Sequence, residues 1–211
     1  MSKKSTREEA IELALTSAQQ QLRAMDPTTV AKRAGVEWHG THQGGAFEVA
    51  FLNQRYQVLL PDAEIRAAGG EDLPLVRKVL MLHYLTQAQG KELARRWVDF
   101  RSLPGGVVYY QVFRGRVIAR LVRMFGEQPE ALIPAAAPLG GRATAMADVA
   151  VEIPAFPRVP VVLALWKPSE EFGPEGTVMY DDALPAYLET EDAIIVCEEI
   201  LGALRQYVQR V

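Results

Sequence analysis

The chain has 211 residues, 49% of them hydrophobic and 23% charged, and a formal net charge of -3. That balance excludes a disordered chain and a low-complexity or collagen-like one, and it provides no global basic field to recruit nucleic acid or anionic lipid. A single cysteine, Cys197, excludes an internal disulfide and any thiolate-held zinc or iron–sulfur site built by this sequence alone.

Ser5-Thr6-Arg7-Glu8 has the form of a capping box. Behind it Ile11, Leu15, Ala18, Leu22 and Met25 recur at helical spacing, which predicts a helix over 6–25 that either packs on the domain by this stripe or lies peripheral to it. Asp26-Pro27 starts a second, short helix that Gly35 closes. Ala46–Leu52 and Arg55–Leu60 alternate like strands and are joined by Asn53-Gln54, which predicts a β-hairpin. Asp72 caps a helix running to about Gln89, with Leu75, Val76, Val79, Leu80, Leu82 and His83 on its apolar face. Pro104-Gly105-Gly106 leads into a long helix over about 107–125, with Tyr110, Phe113, Val117, Leu121 and Met124 or Phe125 inward. PEALI from Pro129 is a short helix broken at Pro134, and 135–142 is a loop. Ala147–Ile153, Val159–Trp166 and Gly176–Tyr180 are further strands. Thr190 caps a last helix that runs to the end of the sequence. Hairpins flanked by helices, without βαβ alternation, predict an α+β fold: a single domain with an antiparallel sheet covered by helices.

The longest apolar run, Val159–Trp166, is well short of the ~18 residues a membrane helix needs, and the acidic start does not resemble a secretory signal. A cytoplasmic protein with no membrane or nucleic-acid partner is expected.

Several constellations are candidates for chemistry. His39 and His42 have H-x-x-H spacing but lie among glycines, and no third ligand is specified, so no metal site is assigned. His83 sits on or beside the buried face of its helix. It is either a hydrogen-bonded core residue or a group bordering a pocket. Between Lys91 and Arg123 there are eight basic residues against Glu92 and Asp99, interleaved with Trp97, Phe100, Tyr109 and Tyr110. That mixture suits a solvated helix face, an anionic planar ligand, or nucleic acid. From Pro168 onward ten acids face only Arg205 and Arg210, so the acidic end is expected to fold back on the basic middle. No Walker, Rossmann, nucleophile-elbow or zincin motif is present.

Three stretches then stand together: Leu82-His83-Tyr84-Leu85; Trp97, Phe100, Leu103-Pro104-Gly105-Gly106, Tyr110 and Phe113; and Glu170-Glu171-Phe172, Tyr180-Asp181-Asp182, Tyr187-Leu188 and Glu191-Asp192. Their order and spacing resemble a prokaryotic family catalogued as domain of unknown function 3786, over roughly residues 20–210. The resemblance implies family-type positions at His83, Trp97, Phe100, Pro104, Gly105, Glu171, Phe172 and Asp181. It also implies the company of anaerobes, some of whose members carry a cysteine-rich iron–sulfur module that this one-cysteine sequence lacks. It implies no activity and no catalytic residue.

Three readings follow. The first is a binding or accessory protein for an anionic, ring-containing cofactor, with a corrinoid or other tetrapyrrole as the example, held by His83, Tyr84, Trp97, Phe100, Arg101 and Tyr110. The second is a small enzyme using His83 with Glu171 or Asp181 as acid and base. The third is a protein–protein interaction module without a ligand.

Overall fold

A computed structural model describes residues 6–41 and 44–208. Ser5 of the capping box and His42 of the H-x-x-H pair lie outside the described residues. The architecture is α+β, with two antiparallel sheets flanked by helices. The chain gathers into two compact units. One takes the residues up to Ala50, Arg55–Lys91 and Ala186–Leu188; the other takes Phe51–Gln54, Glu92–Pro185 and the residues from Glu189 on.

The first unit opens with α1 (Thr6–Arg23), whose expected stripe is buried only toward its end, at Ala18 and Leu22; Leu13 stays 71% exposed. α2 (Pro27–Ala34) forms as its sequence dictates. The Asp26 carboxylate accepts from the Thr29 N–H at 2.8 Å, and Gly35 closes the helix at φ 67°. A four-stranded meander follows: β1 (Glu37–Thr41), β2 (Gly44–Phe51), β3 (Gln54–Leu60) and β4 (Glu64–Ala67). β1 escapes a sequence reading because it is almost wholly exposed and shows no alternation. Its glycines have a packing reason. Gly40 pairs with Gly45, and a Cβ on Gly40 would meet the Gly45 Cα at 2.5 Å and the Trp38 ring at 2.8 Å. The β2–β3 turn is Leu52-Asn53 rather than Asn53-Gln54, because these two residues take the positive φ of 48° and 62° that a tight hairpin requires.

α3 (Leu75–Gln87) starts after Pro74 and not at Asp72. A residue before proline is disfavoured in the helical region, so Leu73 cannot be helical, and Asp72 instead pairs with Lys78 at 2.7 Å. Val79, Leu80, Met81, Leu82, Tyr84 and Leu85 are buried, whereas Leu75, Val76 and His83 are only half-buried.

The second unit is built on five strands in the order β5-β9-β8-β7-β6: β5 (Trp97–Asp99), β6 (Arg142–Thr144), β7 (Val149–Phe156), β8 (Val159–Trp166) and β9 (Glu175–Asp181). The long helix resolves into α4 (Gly106–Phe113), a π-turn (Arg114–Ile118) and α5 (Ala119–Phe125). Its buried line is Phe113, Val117, Leu121 and Phe125. Each step of four overshoots an α-helical turn by about 40°. The wider π-turn absorbs part of that drift and keeps the line facing inward. α6 (Leu132–Ala136) runs through Pro134 instead of breaking there, since a proline in the first turn removes only an N–H that has no intrahelical partner. α7 (Thr190–Val208) buries Ile194, Val196, Cys197, Ile200, Leu201 and Leu204. One sheet face carries Val161, Leu163, Val178 and Tyr180, all buried; Tyr180 reaches Cys197 of α7 on this side. The other carries a separate cluster of Ala150, Val162 and Ala164.

Candidate functional site

The six expected ligand residues divide between the units. His83 and Tyr84 belong to the first. Tyr84 is completely buried; its hydroxyl donates to the Ala34 carbonyl at 2.5 Å, and its ring stacks on Tyr187 at 6.1 Å. Its role there is to tie α3 to the end of α2.

Trp97, Phe100, Arg101 and Tyr110 belong to the second unit, and their placement depends on Asp181. This carboxylate is 1% exposed. It accepts from the N–H groups of Ala94 at 2.9 Å, Arg95 at 2.7 Å and Ala183 at 2.9 Å. The Asp182 N–H donates to the Arg96 carbonyl at 2.9 Å, and the Asp182 carboxylate pairs with the Arg96 guanidinium. Segment 94–96 is thereby fixed beside the end of β9, and β5 is laid along that strand. Asp181 thus serves as an anchor, engaged on three backbone donors, whereas Glu171 is exposed. No group of three or more His, Cys, Asp or Glu among the described residues is placed to hold a metal ion.

From this anchored segment, Trp97 reaches the second face of the sheet. It packs half-buried on Ala150, Val162 and Ala164 together with Met146, Ala147 and Met179. Strand register sets Asp99 beside Met179, Met179 beside Val162, Val162 beside Glu152 and Glu152 beside Arg142. An apolar strip is therefore flanked by charges at both ends. Arg95 bonds Glu152 at 3.4 Å, and the Arg101 Nε bonds Asp99 at 2.9 Å. Burial opposes ionisation of Asp99, but the hydrogen bonds from Arg101 and Ser102 outweigh it and hold the carboxyl below its ordinary range. The Arg101 guanidinium also lies over the Tyr110 ring, 5.0 Å from its centroid.

Phe100 faces the opposite way. It is 1% exposed and lies parallel to Phe113, with ring centroids 4.0 Å apart. It is a core residue of the unit, under the Pro104-Gly105-Gly106 bend. A Cβ at Gly106 would overlap the Phe100 carbonyl oxygen, and Gly105 takes φ 71°. The Thr190 hydroxyl donates to the Pro104 carbonyl at 2.6 Å instead of capping α7.

The basic middle and acidic end do meet within this unit. Arg96 pairs with Asp182, and Arg116 makes a bidentate pair with Glu198 at 2.7 and 2.5 Å. Arg114, Arg120 and Arg123 make no ion pair among the described residues. Cys197 is wholly buried, 3.0 Å from the Tyr180 hydroxyl. Burial pushes its thiol up to about 12 against the opposing hydrogen bond shared with Tyr180, as befits a packing group.

Sequence reasoning missed the anchoring role of Asp181 and the small-residue floor beneath Trp97. The alternation of Ala150 and Glu152 on β7, and of Val162 and Ala164 on β8, was the available signal for the floor.

The molecule is an α+β protein with two antiparallel sheets, an occluded thiol, and a sheet face bearing a tryptophan between arginine–carboxylate pairs. It belongs to the family described as Domain of unknown function (DUF3786), whose model matches residues 26–203. No curated protein and no solved structure matches the chain. Among the described residues no helix is long and apolar enough to cross a membrane.

Proposed function

We propose that the chain is a cytoplasmic accessory protein that binds an anionic, ring-containing ligand, a corrinoid or other tetrapyrrole being the example of the class. The observation that carries this reading is the second face of the five-stranded sheet. There half-buried Trp97, Met146 and Met179 cover a floor of Ala150, Val162 and Ala164. A tryptophan and adaptable methionines give a planar ring a surface to stack on. Arg95 and Arg101 stand at the ends of the strip, held by Glu152 and Asp99. A ligand carboxylate or phosphate would draw these guanidinium groups from their present partners and form charge-assisted bonds of the same kind. Of the residues expected from sequence, this reading keeps Trp97 and Arg101 as direct contacts and Tyr110 as the support of Arg101. Phe100 and Tyr84 act as core residues.

The test is a titration of the purified chain with cobyrinic acid, a corrinoid with free carboxylates, and, separately, with protoporphyrin IX. Tryptophan emission and the visible bands of each probe are followed. Saturable quenching with a red-shifted visible band is expected, weakened about tenfold by Trp97→Ala or Arg95→Ala, a loss of about 1.4 kcal/mol. Absence of saturable change with both probes, or wild-type binding by both variants, overturns the reading.

A further inference from the structure

We infer that the outer face of α4 and the π-turn after it form a docking surface for an acidic amphipathic helix of a partner protein. Val107 and Val108 on α4 are 72% and 80% exposed, and Val112 is 48% exposed. Isolated exposed apolar residues are ordinary on a protein surface; a contiguous row on one helix face is not. The row continues along the helix. Val108, Val112, Gly115 and Ala119 follow at steps of four, three and four, and all four are exposed. A Cβ at Gly115 would meet nothing within 4 Å, so the seam is smooth and open. Small residues in such a seam let a second helix approach closely, and the valines give it apolar surface to cover.

Charge identifies the occupant. From Gly106 to Phe125 there are four arginines and not one acid. Arg116 is held by Glu198, and Glu191, the first acid of α7, acts on the Tyr109 hydroxyl and raises its pKa. Arg114, Arg120 and Arg123 keep no carboxylate partner among the described residues. An incoming helix with apolar side chains on one face and carboxylates along its borders would cover the valine seam and supply those partners. The surface belongs wholly to the second unit, and its valines and arginines are not among the contacts proposed beside Trp97.

The experiment uses the full chain and two dye-labelled helical peptides of about 18 residues, five turns. Both share one leucine–alanine face; the remaining positions are Glu-rich in one peptide and Lys-rich in the other. Fluorescence anisotropy is expected to show saturable, salt-weakened binding of the Glu peptide only. The double variant Val108→Asp/Val112→Asp and the double variant Arg114→Glu/Arg123→Glu should each weaken binding about tenfold or more, with unchanged melting. Equal binding of the two peptides, no saturable binding of the Glu peptide, or wild-type affinity in both variants overturns the inference. Two other results also overturn it. One is self-association in sedimentation that Val108→Asp abolishes, which would make a second copy the occupant. The other is binding to phosphatidylglycerol vesicles that the same change abolishes, which would make it a lipid surface.

Discussion

Two valine-rich stretches of the second unit end in opposite environments. In β8 every residue from Val159 to Leu165 is buried. In α4 Val107, Val108 and Val112 stand in solvent and only Gly106 and Phe113 are buried. β8 has β7 on one edge and β9 on the other, and its two faces are both covered. Val161, Leu163 and Leu165 lie on the face that Tyr180 shares, and Val162 and Ala164 lie under Trp97 and Met179. α4 meets its neighbours along one line and leaves the rest of its circumference outside. Apolar content alone therefore does not assign burial; the number of sides on which an element has neighbours does.

The comparison can be tested at both ends. Leu163→Asp places an unpaired carboxylate in the middle of β8 and should exceed about 4 kcal/mol, enough to abolish a cooperative melt followed by circular dichroism. Phe113→Ala removes the ring that stacks on Phe100, the one buried anchor of α4, and should cost about 3–5 kcal/mol, read as a lower urea midpoint at unchanged slope. Asp181→Asn leaves one acceptor for Ala94 and Ala183 but turns an amide N–H₂ toward the Arg95 N–H. A cost of about 1–3 kcal/mol is expected, with faster amide exchange at residues 94 and 95. If exchange there is unchanged, β5 is held by something other than this carboxylate.

Cys197 adds a pH signature to the buried side of the comparison. Its thiol is raised from 9.0 to about 12, chiefly by burial, so the folded state holds that proton more tightly than the unfolded chain. The stabilisation is complete below about pH 9, the unfolded value, and is lost as pH climbs toward 12. Urea midpoints should fall over that window, and Cys197→Ala should flatten the fall. A thiol that reacts rapidly with a disulfide reagent at pH 8 in the native protein would contradict the burial. The smallest effect belongs to the exposed helix. Val108→Asp should change stability by no more than about 0.5 kcal/mol. A large loss there would mean that the valine is covered, and the contrast with β8 would disappear.

Where local chemistry is self-sufficient, the sequence was legible. Asp26, Pro27 and Gly35 carry all the instructions for α2 within ten consecutive positions, and β7 and β8 announce themselves by apolar runs flanking a proline-rich turn. The α3 boundary was misread because a proline outweighed an attractive cap. β1 was invisible because its two exposed faces leave no pattern in the residues. Of the candidate site, Trp97 and Arg101 were legible as an aromatic beside a cation, but their companions Met179, Glu152 and Arg142 come from strands far away in the sequence.

The sequence by itself determined the α+β class and the family. These follow from composition and from periodicities that repeat within a single element. Only the tertiary structure decided that Asp181 holds three backbone N–H groups, that Phe100 faces Phe113 while Trp97 faces the small-residue floor, and that the valines of α4 stay outside. Each of these depends on which distant segments pair in register, and sheet register and helix docking are properties of contacts between elements that no single stretch of chain contains.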